Sequence, residues 1–376
     1  MRLLYYAVMT CALAACRGDD VTANSNVETR RALIFTLGGT VFDLVLGRDT
    51  VIVPSQPRIE RVVENIVRDS RDSAAFVLAY DSFANRVARP LDLRTGRIAS
   101  GTQLTSIEAS AGPVGANLGF GLFTALSPAG DRMAFVRSTR NGSFGITAVR
   151  AAFGTVDWFA PEFDLGGGVF GRWKNADVLF VAGRRAGAAA ETLVWAVDPS
   201  SGAVLDSVVI GVRSIAAQGG VLGLVYAGPA GRVLVQRFGS VTSCPANLGS
   251  AASCTTVATV PESGRLSYQE GDSVVLLHDP GRRDGPGSGS VYAISLDATR
   301  VDSHPLPRVA GDAFVSQGVS ALRGGTVWVV TGGTIPFFAL FREQSPVVLL
   351  YDPLSRRVLK RIAVPSNEPV TITVPL

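Results

Sequence analysis

The chain is punctuated: short runs dense in Val, Leu, Ile and Phe are separated by Gly, Pro, Asp and Ser, as in Ala75-Phe76-Val77-Leu78-Ala79-Tyr80 and Asp272-Ser273-Val274-Val275-Leu276-Leu277. These are strand lengths with strand composition. The best helical candidate, residues 58–67, carries apolar residues at Ile59, Val62, Val63, Ile66 and Val67 but is itself rich in β-branched side chains. The predicted class is all-β.

A repeated hairpin of the form apolar-Asp-x-x-x-Gly-x-apolar organises these strands. It reads Leu91-Asp92-Leu93-Arg94-Thr95-Gly96-Arg97-Ile98, then Val197-Asp198-Pro199-Ser200-Ser201-Gly202-Ala203-Val204; a third copy, Tyr351-Asp352-Pro353-Leu354-Ser355-Arg356-Arg357-Val358, puts Arg where the others have Gly. Asp can bond the backbone two residues on, Pro presets its dihedral, and Gly permits a positive φ. Degraded copies are read at Val149-Arg150 with Gly154, at Gln236-Arg237, and at Leu296-Asp297, with a further one at Phe42-Asp43 followed by Gly47. The marks recur about every fifty residues, the length of a four-stranded propeller blade with its loops. The expected architecture is a β-propeller of seven blades, with six as the alternative. A terminal strand at Val370-Thr371-Ile372-Thr373-Val374 should share a blade with the first strands, from Ala32 to Pro54, and close the ring. The rival architectures are an N-terminal sandwich followed by six blades, which a helix at 58–67 would favour, or two unrelated β-domains.

Ala125-Leu126-Ser127-Pro128-Ala129-Gly130-Asp131-Arg132 resembles the Ser-Pro-Asp-Gly hairpin of TolB-like and other WD40-related propellers, with Ala129 in place of Asp. The Asp-Pro-x-x-Gly turns are similar to those of the YVTN and PQQ-like propellers. The Gly-His and Trp-Asp pairs of true WD40 repeats are absent, so the resemblance is to the superfamily and implies a fold.

The first residues tell of location. Arg2 is followed by an apolar run from Leu3 to Ala15, of signal-peptide length and too short to span a bilayer. It ends in Leu13-Ala14-Ala15-Cys16, which resembles the lipobox of bacterial lipoproteins. That resemblance implies a signal peptide over 1–15, lipid attachment at Cys16, and membrane association through that lipid. Residues 16–31 are polar, read as a tether, and 32–376 form the propeller domain. Arg17 stands where enteric lipoproteins kept in the inner membrane carry Asp, which favours the outer membrane.

Composition narrows the partners. The formal net charge is +4, and the basic residues are interspersed with acids rather than clustered, so no nucleic-acid partner is expected. Cys11 leaves with the signal and Cys16 takes lipid. Cys244 and Cys254 remain together in an oxidising compartment and should form a disulfide.

Candidate chemistry is sparse. The only histidines, His278 and His304, lack metal-ligand spacing to each other or to cysteine, and read as blade residues. Gly166-Gly167-Gly168 has no following Lys-Ser/Thr and reads as a linker between blades. No serine-nucleophile motif, carboxylate pair or quinone signature is found, so no catalytic residue, metal or cofactor is assigned. Trp158, Phe159 and Phe163, with Trp173 soon after, form the candidate binding surface, since aromatics on loop tips mark recognition sites. The expected role is a lipid-anchored, extracytoplasmic binding or scaffold module for protein or glycan. The alternative is a metal- or quinone-dependent hydrolase or dehydrogenase using the central funnel.

Overall fold

A computed structural model describes residues 30–375, apart from 47–50, 57–61, 69–74, 81–85, 104–123, 139–143, 151–154, 161–162, 186–190, 213–220, 238, 250–252, 260–264, 269–271, 280–288, 307–311, 323–326, 337–344 and 369. Cys16 and its flanking segments therefore lie outside the described residues.

The described strands assemble into antiparallel sheets of four, and the fold is a β-propeller of four-stranded blades. Sheet 1 joins β1 (Arg30–Thr36), β2 (Val41–Leu46) and β3 (Val51–Gln56) to the last strand, β28 (Val370–Pro375), in the order β28-β1-β2-β3. Sheet 2 holds β4 (Val62–Arg68), β5 (Ala75–Tyr80), β6 (Arg86–Leu91) and β7 (Thr102–Gln103). Sheet 3 holds β8 (Thr124–Leu126), β9 (Arg132–Ser138), β10 (Phe144–Arg150) and β11 (Thr155–Ala160). Sheet 4 holds β12 (Phe163–Trp173), β13 (Ala176–Arg185), β14 (Glu191–Val197) and β15 (Val204–Val212). Sheet 5 holds β16 (Val221–Ala227), β17 (Arg232–Arg237), β18 (Ser240–Pro245) and β19 (Thr255–Thr259). Sheet 6 holds β20 (Arg265–Ser267), β21 (Val274–Asp279), β22 (Ser290–Ser295) and β23 (Val301–Pro305). Sheet 7 holds β24 (Asp312–Ala321), β25 (Trp328–Pro336), β26 (Ser345–Asp352) and β27 (Arg357–Ala363).

The first strands run round in one succession, β28 against β4, then β8, β12, β16, β20, β24 and back to β28. The expected pairing of the two chain ends is present, with Ala32 opposite Pro375 and Ile34 opposite Thr373. Residues 62–68 are the inner strand β4, not a helix. Val63 and Val67 are buried there, and β-branched side chains pack on a pleated surface at less cost than in a helical turn.

Alternation along each strand feeds two cores. Leu33 and Phe35 of β1 face sheet 2, packing with Val63, Val77 and Leu91. Ala32 and Ile34 face sheet 7, packing with Val329, Val348 and Leu350. Because both faces are covered, the strands read in sequence as unbroken apolar runs.

Antiparallel order divides the molecule into two ends. Turns between first and second strands and between third and fourth lie at one, here the hairpin end. Turns between second and third strands, and the connections between sheets, lie at the other, the loop end.

Asp92, Asp198, Asp297 and Asp352 sit in third-to-fourth hairpins of sheets 2, 4, 6 and 7. Asp198 accepts from the Ser200 amide at 2.8 Å and the Ser201 hydroxyl at 2.9 Å, and Asp92 accepts from the Arg94 amide at 2.8 Å. Gly96 and Gly202 take φ of 75° and 74°, and Arg356 takes 54° at the same place in its turn. The turn needs the left-handed conformation, and sheet 7 meets it without glycine.

Three readings of the sequence are corrected. Gln236-Arg237 ends β17, before a second-to-third turn, and the true third-to-fourth connection of sheet 5 is the disulfide loop. Asp43 lies inside β2, where it is ion-paired with Arg31, so it opens no turn. Gly167 and Gly168 are part of β12 rather than a linker; a Cβ on Gly167 would come within 3.3 Å of Val221 in β16, so its lack of a side chain lets two inner strands approach.

Candidate functional site

Cys244 and Cys254 are joined, as the sequence predicts. The disulfide closes a loop that folds back over sheet 4. Leu248 is buried in the core between sheets 4 and 5, and Asn247 Oδ1 accepts the Lys174 amide at 3.2 Å. Lys174 and Asn175 form a two-residue turn with φ of 47° and 68°, both in the left-handed region that such hairpins require.

Trp173 precedes that turn. It is half-buried, packs on the core between sheets 4 and 5, and carries Lys174 Nζ 4.2 Å from its ring centroid. Trp158 and Phe159 lie in the second half of β11, toward the loop end, and Phe163 opens β12 after the connection; the side chains of these three are outside the described residues. Phe163 and Trp173 are the two ends of an eleven-residue strand, roughly 30 Å apart. The structure thus groups Trp158, Phe159 and Phe163 at the loop end and separates Trp173 from them.

The histidines are buried within the sheets. His278 belongs to β21. His304, on the outer strand β23, reaches the next sheet, meeting Trp328 edge-on at 5.0 Å and Tyr351 at 6.3 Å between ring centroids. Burial holds its imidazole below the ordinary value, the Arg356 charge pushes the same way, and Asp302 opposes them. Among the described residues, His304 Nδ1 and the Tyr351 hydroxyl meet no hydrogen-bond partner. His304 is thus a neutral packing group between sheets 6 and 7. Among the described residues no group of three or more His, Cys, Asp or Glu could hold a metal ion.

Sequence reasoning missed a polar latch at the loop end. The turn Leu37-Gly38-Gly39-Thr40 joins β1 to β2, and Glu368 lies in the connection from β27 to β28. Glu368 Oε2 accepts the hydroxyl of Thr36, which is fully buried, at 2.6 Å, and that of Thr40 at 3.5 Å. Its carboxylate occupies the space a Cβ on Gly38 would need. Gly-Gly in a turn signals a close approach but not the group that approaches.

The hairpin end has its own character. Leu354, at the tip of the β26–β27 turn, is 86 % exposed. Arg356 and Arg357 beside it, and Arg94 and Arg97 in the β6–β7 turn, are exposed. Asp92 and Asp352 in the same turns spend their carboxylates on local amides and hydroxyls.

No protein-family model matches the chain, and no curated protein matches it by sequence. Its fold is similar to solved structures. The periplasmic gluconolactonase of Pseudomonas aeruginosa superposes with a TM-score of 0.58 at 13% identity, covering 92% of this chain and 99% of that one. A functionally unknown protein from Desulfotomaculum acetoxidans gives 0.55 at 10% identity, covering 92% and 98%. A candidate 6-phosphogluconolactonase of Bacteroides fragilis gives 0.54 at 9% identity, covering 95% and 100%. At these identities the likeness is one of fold, the β-propeller.

Proposed function

We propose that this chain is an extracytoplasmic, lipid-anchored β-propeller that binds a protein or glycan partner without chemical turnover, and that its seven sheets are the seven blades of one closed ring. Support for the anchor comes from the sequence Leu13-Ala14-Ala15-Cys16, for the compartment from the disulfide and the periplasmic fold neighbour, and for the outer membrane from Arg17. The observation that carries the binding role is the division of the ring: β1 begins and β28 ends at the hairpin end, while the sheet connections and the aromatic positions Trp158, Phe159 and Phe163 gather at the loop end. A ring with one end tied to the anchor leaves the other for a partner.

Two measurements test this. Intact mass of the membrane-extracted protein should show a lipidated N-terminus at Cys16; an unmodified cysteine sinks the anchor. Capture of a partner from envelope extract should be lost in the Trp158→Ala, Phe159→Ala variant, and unchanged capture removes those residues from the binding surface.

A second reading, hydrolysis of a sugar lactone, draws on the names of two fold neighbours. Opening of gluconolactone by purified protein above the buffer rate would establish it and displace the non-catalytic role.

A further inference from the structure

We propose that the hairpin end is a docking surface for anionic lipid headgroups, formed by the turns of the two sheets that flank the N-terminal strand. The proposal rests on the anchor reading above for its orientation. Strand β1 starts at the hairpin end, its Ala32 opposite Pro375 of β28. Arg30 lies fourteen positions after Cys16; even fully extended, such a segment reaches only about 50 Å. The anchored lipid thus holds sheet 1 close to the bilayer by its hairpin end.

The neighbours of sheet 1 in the ring are sheets 2 and 7. Sheet 2 presents exposed Arg94 and Arg97 in its third-to-fourth turn, and sheet 7 presents exposed Arg356 and Arg357 beside Leu354. The two acids of these turns are engaged by their own loops. Asp92 accepts from the Arg94 and Thr95 amides and the Thr95 hydroxyl, and Asp352 from the Leu354 amide and the Ser355 hydroxyl. These turns therefore point cations outward while their carboxylates face the loop backbone. Guanidinium groups suit phosphate oxygens through bidentate hydrogen bonds. Leu354, exposed at its turn tip, can enter the interfacial region between headgroups. Basic groups near an anionic leaflet add attraction that acts within a Debye length of the surface.

The test uses the full lipoprotein purified from membranes and reconstituted into vesicles of phosphatidylcholine alone or mixed with phosphatidylglycerol. Hydrogen exchange is followed at the amides of 93–97 and 354–357, with the 37–40 turn at the opposite end as reference. The expected result is exchange slowed several-fold at both hairpins on the mixed vesicles only, weakened by salt, and lost in the Arg94→Glu, Leu354→Asp variant. Equal exchange on the two vesicle types with a lipidated Cys16 would overturn the docking surface and leave the anchor standing. Slowed exchange with an unmodified Cys16 by intact mass would do the reverse. Slowing at 37–40 instead of the hairpins would overturn the orientation.

Discussion

Thr36 donates its hydroxyl to Glu368 across 2.6 Å, although 332 positions separate the two in the chain. The bond ties the turn after β1 to the segment that delivers β28, so it reinforces the junction at which sheet 1 receives its innermost strand.

Removing that acceptor should cost more than a surface hydrogen bond. Glu368→Ala is expected to lower unfolding stability by about 1–3 kcal/mol, since the Thr36 hydroxyl is buried. Gly38→Ala should lose a similar amount by displacing the carboxylate, and the double variant should lose little more than either single one. Additive losses in a urea-unfolding cycle would show that the two positions act separately.

Arg356 occupies the conformation that Gly96 and Gly202 take in equivalent turns. Arg356→Gly is expected to stabilise the fold by about 0.5–1 kcal/mol, the relief of left-handed strain exceeding the entropy cost of glycine. The reverse change, Gly202→Ala, should destabilise by about 1–2 kcal/mol. Thermal unfolding of both variants reads the signs.

His304 predicts a pH response near neutrality. Its folded value lies below the ordinary 6.5, so the unfolded chain binds its proton more readily, and stability contributed by neutral His304 is lost as pH falls below about 6.5. In His304→Phe the ring packing on Trp328 is retained and this part of the pH dependence should vanish. Urea midpoints at successive pH values from neutral downward make the comparison; an identical slope in the variant would assign the response elsewhere.

The aspartate turns predict a second, more acidic response. Asp92, Asp198, Asp297 and Asp352 are all held below the ordinary 3.8, chiefly by hydroxyl donors from Thr95, Ser200, Ser295 and Ser355, with turn amides assisting. A depressed folded value means stability present above 3.8 and lost as pH falls through the folded values. Replacing all four with Asn should flatten the stability curve in that range, measured by denaturant unfolding.

Reduction of the disulfide should lower stability by about 3 kcal/mol, from its separation of 10 residues. It should also raise hydrogen exchange at the Lys174 amide, which Asn247 accepts from within the closed loop. Unfolding with and without reductant, compared with Cys254→Ser, checks both.

The features legible in the sequence are those fixed by local chemistry. Asp198 and Gly202 announce a turn because the bonds they make and the φ they need lie within five residues. The meeting of β1 with β28 was readable because a lone terminal strand needs a partner. Local signs also mislead: Phe42-Asp43 imitates a turn mark while Asp43 serves Arg31 across the sheet, and Gln236-Arg237 falls one turn early because the disulfide loop stretches the repeat. What stayed hidden depends on distant partners. Nothing near Glu368 names Thr36, and nothing near His304 names Trp328 or Tyr351, since those contacts exist only after separate sheets pack.

The place of β28 also orders events in time. During synthesis β1, β2 and β3 emerge long before β28, so their sheet lacks its innermost member until that strand follows. For that interval β1 presents an open edge, able to pair with a strand from another chain. The long-range closure makes the last joining step slow relative to the local hairpins. A chain truncated before Val370 should accordingly carry its other sheets and still misassociate through β1, so that solubility on overexpression, rather than stability once folded, is where the loss of that strand is felt.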